Sequence, residues 1–419
     1  MTKEIKNRIE AVRRGEVPDG YVLENHQLRP RDWTYEIIGP YLAAYDEYSN
    51  DTEEYPLATS SRQGLMLQSE YYNDQRYDET EGGFHVVPVG YITYRHMSDD
   101  DIFRFNVNDM DKPVLVSPEY PVFTTTHELN QNLLVTYLNG MKEFRAYSSS
   151  QKKGSTRTRM YFSRLGEFSM PLPPLSEQQK IAEILATCDK VIERKQKLIE
   201  EKRRQKKWLM QKLLSENNKV EERTLSSLCS FICDGDWIES KDQSESGIRL
   251  IQTGNVGVGQ YLYKDGRARF ISEETFNRLN CTDVFAGDVL ISRLPDPIGR
   301  ACMVPQLPAR AITAVDCTIL RFKSKDIAQF FLQFATSQQY FNKVAILAGG
   351  STRTRISRKE IENLLIPIPS DSIAMKSTTE VLSLMDKETA TLDAELSEWQ
   401  QKKKALMQLL LTGLVRVKV

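Results

Sequence analysis

Two short basic segments are the first candidates for chemistry. Phe144 to Gly166 holds Arg145, Lys152, Lys153, Arg157, Arg159 and Arg164 and no acid; Lys343 to Lys359 holds Lys343, Arg353, Arg355, Arg358 and Lys359, again with no acid. Cations gathered in this way can face phosphate even when the whole chain is neutral. Arg157, Arg159, Arg353 and Arg355, with Lys152 and Lys153, are therefore candidate phosphate contacts. Pairing with acids at a junction between elements, or with a partner protein, is the competing reading. Arg95 and Arg293 each close a strand-like run and open a loop. That position suits base or phosphate contact, and equally a plain surface arginine. Thr253 and Asn255 sit on an earlier loop and join the candidate set. Trp208 and Trp399 fit helix packing better than base stacking.

Reactive constellations are missing. An amino-methyltransferase needs an Asn/Asp-Pro-Pro-aromatic loop, and the one Pro-Pro pair, Pro173-Pro174, follows Leu172. Gly254-Asn-Val-Gly-Val-Gly259 has the wrong spacing for a dinucleotide fingerprint and reads as a turn between strands. Gly349-Gly-Ser-Thr352 lacks the Gly-Lys-Ser/Thr of a P-loop. No His-Glu-x-x-His occurs, Asp99-Asp-Asp101 reads as solvated loop acid rather than a metal site, and Glu193-Arg-Lys195 lies within a helical pattern. The six cysteines are scattered, only Cys229 and Cys233 being close, and all four histidines precede residue 128. Reduced thiols are expected rather than zinc. The chain reads as non-catalytic, with no cofactor of its own.

The bulk numbers bound the class. A chain of 419 residues is too long for one ordinary core. A hydrophobic content of 40% and a charged content of 27% suit a globular protein. No apolar run is long enough for a membrane span, and the charged start, Met1 to Glu16, does not read as a signal peptide. A cytoplasmic protein is expected.

The elements that must position the candidates are duplicated. Gly154-Ser-Thr-Arg-Thr-Arg159 recurs as Gly350-Ser-Thr-Arg-Thr-Arg355, an offset of 196. Met170-Pro-Leu-Pro173 matches Ile366-Pro-Ile-Pro369 at the same offset, and Leu209-Met-Gln211 matches Leu406-Met-Gln408 at 197. The middle of each copy has diverged, which suggests one scaffold carrying two recognition surfaces. Within the copies, 248–252, 288–292, 317–322, 85–94 and 113–117 read as strands, and 129–147 and 326–347 as helical stretches. Each copy ends in a long amphipathic helix. The first follows the stiff Pro171-Leu-Pro-Pro174, with Ser176 and Gln179 fitting a capping box. Forty helical residues span about 60 Å. The expected organisation is α+β: an N-terminal extension over 1–29, a mixed α/β unit over 30–174, a long helix over 175–216, a second unit over 221–369, a second helix over 370–413 and a tail over 414–419. The two helices are expected to pack as an antiparallel coiled coil holding the globular units apart, with an internal pseudo-two-fold repeat. From Arg194 to Lys212 there are nine basic residues and two acids, a net of +7, which reads mainly as a solvated coiled-coil face.

Together these features resemble the specificity subunit of type I restriction–modification systems. Gly287-Asp-Val-Leu-Ile-Ser-Arg293 and Gln252-Thr-Gly-Asn-Val256 are similar to elements of that family's target-recognition domains. The duplicated hexapeptides resemble its domain–helix junction, and Pro171-Leu-Pro-Pro-Leu-Ser-Glu-Gln178 its helix entry. Leu410-Leu-Thr-Gly-Leu-Val-Arg-Val417 is similar to its C-terminal end. Ile368-Pro-Ser-Asp-Ser372 lacks the Pro-Pro-Leu-x-Glu-Gln form at the second helix entry. The resemblance implies a reader of double-stranded DNA in which each unit recognises half of a bipartite target. The helices would set the spacing and dock two methyltransferase subunits, joined by restriction (motor) subunits. S-adenosylmethionine, ATP and Mg²⁺ would sit on those partners. A coiled-coil adaptor, or a solitary methyltransferase or nuclease, are the alternatives.

Overall fold

The computed structural model describes residues 3–24, 26–71, 83–152, 157–213, 220–349 and 354–418, apart from the side chains of Leu213 and Asp265. It divides into two units, one formed by 1–195 with 395–419 and the other by 196–394.

The first unit is built on a four-stranded antiparallel sheet in the order Phe105–Val107, Ile92–Tyr94, Val122–Thr125, Leu42–Ala44. The second unit has the same sheet in the same order: Ala301–Met303, Val289–Ser292, Cys317–Phe322, Cys229–Asp234, again all antiparallel. The expected strands at 248–252, 288–292, 317–322 and 113–117 all form. The run 85–94 forms two strands, Phe84–Val87 and Ile92–Tyr94, because Gly90 at φ +83 turns the chain between them. Each expected helical stretch is also two helices. Gln131–Gly140 stops at Met141, whose extended backbone also caps Lys142–Ser150. In the second unit Lys325–Phe334 and Gln338–Leu347 are separated by a turn that leaves Ser337 to cap the latter.

What is added to this frame differs. The first unit adds a three-stranded antiparallel sheet, Val114–Val116, Phe84–Val87, Tyr48–Ser49, and a hairpin, Ala58–Ser61 with Gly64–Leu67. The second adds Arg269–Ile271, Ile248–Ile251 and Ala311–Thr313, whose last pair is parallel. One vestige of that parallel pairing remains in the first unit, the bridge between Leu57 and Leu115.

A closing strand pair leads each unit into its long helix. Ser169–Leu172 pairs with Thr34–Ile37, and Leu365–Pro369 with Val220–Thr224. The helices run Leu175–Leu213 and Ser372–Leu411. Ser176 lies inside the first turn rather than capping it; its neighbours do the anchoring. Gln178 accepts the Asn130 amide at 2.8 Å and donates to the Pro173 carbonyl at 2.9 Å, while buried Glu177 accepts Trp33 Nε1 at 3.0 Å.

The helices run antiparallel within each unit. Asp189 pairs with Lys403 and Lys195 with Glu395 in the first; Lys202 with Glu388, Arg203 with Asp393 and Lys206 with Asp386 in the second. Part of the basic run from Arg194 is therefore neutralised by the other helix rather than merely solvated. Apolar residues of both helices complete the first unit's core. Ile181, Leu185, Met407, Leu410 and Leu411 pack with Trp33, Tyr94, Phe105, Phe123 and Tyr137. In the second unit Met375 joins Val289, Leu320, Phe331, Phe334 and Tyr340. Trp208 departs from the packing expectation: its ring is 59% exposed, with the Lys212 ammonium 4.9 Å from its centre.

Segments near both ends of the chain are tied into the first unit. The hairpin Tyr21–Glu24 with Gln27–Pro30 is tied in through buried Gln27, which donates to the Ser169 carbonyl at 3.2 Å and accepts Tyr137 Oη at 2.7 Å. At the other end Leu414 is buried, and Arg416 pairs with both Glu177 and Asp32 at 2.8–2.9 Å.

Candidate nucleic-acid interface

In the second unit the expected site residues converge on one end of the four-stranded sheet. Strands Val289–Ser292 and Cys229–Asp234 both run toward that end, and Cys317–Phe322 starts from it. Arg293 follows the first of these strands, but it is buried rather than a free surface arginine. Its Nη1 donates to Asp234 Oδ2 at 2.6 Å, and Thr318 Oγ1 donates to the other oxygen at 3.0 Å. Arg355 Nη2 lies 2.9 Å from Asp316 Oδ1, at the turn into Cys317, and its backbone bonds to that of Gly349 in both directions. Arg353 and the rest of Gly350–Arg353 lie outside the described residues. Asn255 is also buried, with both ends of its amide engaged: its Oδ1 accepts the Gln252 amide and its Nδ2 donates to the Leu262 carbonyl, both at 3.0 Å. It builds the loop rather than facing a ligand. Thr253, half-buried, opens the same turn.

The group that organises this end was not among the sequence candidates. Arg300 is buried, and its guanidinium donates to the carbonyls of Thr253 (3.0 Å), Val256 (2.8 Å), Leu294 (3.0 Å), Pro295 (2.7 Å) and Pro297 (3.2 Å). Among the described residues no carboxylate pairs with it. Burial pulls its pKa below the ordinary arginine value, against the pull of nearby groups such as the Asp296 carboxylate.

The first unit gathers its candidates at the corresponding place. Arg95 follows Ile92–Tyr94 and is exposed, with no ion-pair partner among the described residues. Met97–Ser98 pairs with Thr158–Arg159, bringing Arg159 beside the same loop. Arg157 Nε meets Asp99 Oδ1 at 2.7 Å, and Lys152 lies 3.7 Å from Asp101. Lys153 and Gly154–Thr156 lie outside the described residues. An open polar cavity of about 440 Å³ brings together Arg62, Arg95, Arg104 and Asp99 with Ser61 and Tyr71. Arg62 and Arg104 were missed by the sequence reading. Arg62 is paired with Asp100 at 2.5 Å. Within this shell the buried His96 imidazole is pushed below its ordinary pKa by burial, against the pull of Glu119. A signal for Arg104 and Arg300 did exist: they are 196 apart, the hexapeptide offset, and each directly precedes the edge strand of its sheet.

Exposed ion pairs such as Arg157–Asp99 contribute only about 0.2–1 kcal/mol each, so a phosphate can replace the carboxylate at little cost. The arrangement suits reversible anion contact around loops that differ between the two units. The cysteines are free and five of the six are buried, with burial pushing the Cys229 and Cys302 thiols up to about 12. Among the described residues no group of three potential metal ligands occurs, and no helix is long and apolar enough to cross a membrane.

The family model for the type I restriction modification DNA specificity domain matches residues 103–201 and 217–398, and the chain belongs to that family. The type I restriction enzyme MjaVIII specificity subunit of Methanocaldococcus jannaschii is 26% identical over 311 residues, covering 70% of this chain and 72% of the relative. Among solved structures, the type I restriction–modification S subunit from M. genitalium superposes with a TM-score of 0.57 at 16% identity, covering 93% of this chain and 97% of that one. A chain from a structure of the assembly and conformational transition of the type I system gives 0.50 at 14% identity, over 92% and 99%. These two likenesses concern the fold.

Proposed function

We propose that this chain is the sequence-reading component of a type I restriction–modification complex. Each unit recognises one half of a bipartite target in double-stranded DNA, and the paired long helices set the gap and seat two methyltransferase subunits. The observation that carries this reading is the repeated four-stranded frame with different loops at its basic end. A duplicated reader of this kind can address two major-groove segments and leave the bases between them unread. Arg157, Arg159, Arg355 and Lys152, with Lys153 and Arg353, supply salt-dependent phosphate contacts. Arg95 stands free for base or phosphate contact, and Thr253 offers its hydroxyl from the edge of the second unit's loops. Exposed Leu198, Trp208, Ile373, Val381 and Leu384 on the helices are apolar seats for partner subunits. The chain acts in the cytoplasm and is not itself an enzyme. S-adenosylmethionine belongs to the methyltransferase subunits, and ATP and Mg²⁺ to the restriction (motor) subunits.

The test is adenine-methylation sequencing of genomic DNA from cells making this chain with its neighbouring methyltransferase, beside cells lacking the chain. A gapped two-part motif present only with the chain is expected. An unchanged pattern, or a continuous motif, would refute the reading and return the chain to the adaptor class.

A further inference from the structure

The second unit's loop end holds a buried cation whose every described partner is a backbone carbonyl. Three of those carbonyls belong to the loop Leu294–Pro297 and two to the turn Thr253–Val256. The two segments are about forty residues apart in sequence and share no strand pairing with each other. The segment after each anchored point is exposed: Val258, Gln260, Tyr263 and Lys264 after the turn, and Pro295, Asp296 and Pro297 in the loop. Tyr263 is 63% exposed. A second tie, Tyr340 Oη to the Gly299 carbonyl at 2.7 Å, fixes the far side of the loop.

A guanidinium suits this position for a geometric reason. Its donors fan out in one rigid plane, so a single side chain can hold carbonyls on two sides at once; an ammonium gathers its donors at one point. Leaving such a cation without a carboxylate is costly, so the arrangement is a poor choice for stability alone. It leaves a fixed positive charge at the loop end: the Asp296 carboxylate in the same loop is near enough to favour the cation, but makes no ion pair with it among the described residues. Arg104, the counterpart 196 residues earlier, makes no such bonds among the described residues and faces the open cavity instead.

We propose that Arg300 is a positioning residue for sequence reading. It locks the Thr253–Val256 turn and the Leu294–Pro297 loop into one edge, from which Gln260, Tyr263 and Lys264 meet the half-target read by the second unit. The inference rests on the proposed function and adds a division of labour to it. Arg300 governs which bases are accepted in one half, while the exposed arginines govern how tightly DNA is held.

The experiment maps methylation in cells carrying the full complex with the wild-type chain or with Arg300→Lys, which keeps the charge and loses the fork. With Arg300→Lys, at least one position of one half-target becomes degenerate. Methylation at single-mismatch sites in that half is expected to rise about tenfold, within the discrimination one base pair normally provides. The other half stays as strict as before. An unchanged motif overturns the inference, and so does equal relaxation of both halves. If Arg300→Lys gives no methylation because the chain fails to fold, the wild-type complex decides by photocrosslinking to DNA carrying 5-iodouracil at each thymine of the target. Crosslinks within 257–264 or 294–298 support the edge, and crosslinks confined elsewhere overturn it. Absence of any gapped motif with the wild-type chain would instead refute the proposed function, which keeps the two failures apart.

Discussion

Replacing Arg416 by alanine tests how the C-terminal segment holds the first unit together. Arg416 meets Glu177 through Nε and Nη2 and Asp32 through Nη1 and Nη2, all at 2.8–2.9 Å. The two carboxylates differ. The Asp32 side chain is 61% exposed, and an ion pair of that kind contributes at most about 1 kcal/mol. The Glu177 side chain is 4% exposed, and once the guanidinium is gone the Trp33 indole N–H is the side-chain donor that remains to it among the described residues. Stranding a buried charge costs about 3–5 kcal/mol when the partner is fully buried. Arg416 is one-third exposed, and water would fill part of the gap, so a loss of roughly 2–3 kcal/mol is expected. For a unit of this size that lowers Tm by about 4–12 °C. Glu177→Gln in the same background removes the stranded charge and recovers at least half of the loss, a coupling readable from the four-member cycle in urea. The hydrogen bond from Arg416 holds the Asp32 carboxyl below its ordinary pKa. Its stabilising contribution is therefore present above the ordinary carboxylate range and disappears as pH falls through the depressed value. The difference between wild type and Arg416→Ala should shrink in acid. A Tm change under 1 °C, or a cycle with no coupling, would refute the assignment of Arg416 as the anchor.

Gly413→Ala should destabilise the same region by about 2–4 kcal/mol, since a side chain at φ +66 is strained and its Cβ would run into the Pro30 ring and approach Trp33 to 3.2 Å; thermal melting reads this directly. Arg293→Met should cost the second unit roughly 2–3 kcal/mol with no DNA present, because Asp234 loses the cation buried against it; a melt equal to wild type would make Arg293 dispensable to packing. Arg157→Ala and Arg159→Ala should weaken binding of the assembled complex to every duplex alike, each reducing the slope of log K against log salt by about 0.9. Binding titrations at several salt concentrations decide that, and sequence-selective losses would move these arginines from phosphate to base contact.

Local periodicity and spacing were enough to read the frame. Strands such as Cys317–Phe322 alternate or run apolar between turn residues, and the long helices announce themselves by uninterrupted amphipathic sequence after Pro173-Pro174. The breaks were harder to see. Asn139-Gly140 is a helix-stop signal that the long apolar pattern masked, and the extended Met141 that follows it is fixed by the core it fills. The placement of Gln27 and Arg416 depends on partners more than a hundred residues away, so both ends read as extensions. At the candidate interface the sequence candidates fall together at one end of each sheet, but the state of each side chain was not legible. Arg95 and Arg293 hold the same sequence context, a strand end opening a loop, yet one is exposed and the other buried. The difference lies in Asp234, which accepts from Arg293 and is itself held by the Thr318 hydroxyl.

In the proposed function one scaffold serves two half-targets, and this contrast bears on how it would do so. The four-stranded sheet keeps its order and directions in both units, and with it the position from which loops leave. Around that constant, charge is disposed in opposite ways. The first unit exposes Arg95 and Arg104 in an open cavity and covers Arg62, Arg157 and Lys152 with the consecutive acids Asp100, Asp99 and Asp101. The second buries Arg293 and Arg300 within the loop base and presents uncharged or singly charged tips such as Gln260, Tyr263 and Lys264. An arginine placed at one frame position can thus act as a contact or as a brace, depending on whether the loops around it offer carbonyls. Residue identity at frame positions is therefore a poor guide to target sequence in such a chain. Exchanging 30–170 for the matching segment of a relative should alter one half-target and leave the other untouched, because each set of loops is braced within its own unit. A change in both halves would mean that reading depends on contacts no single unit contains.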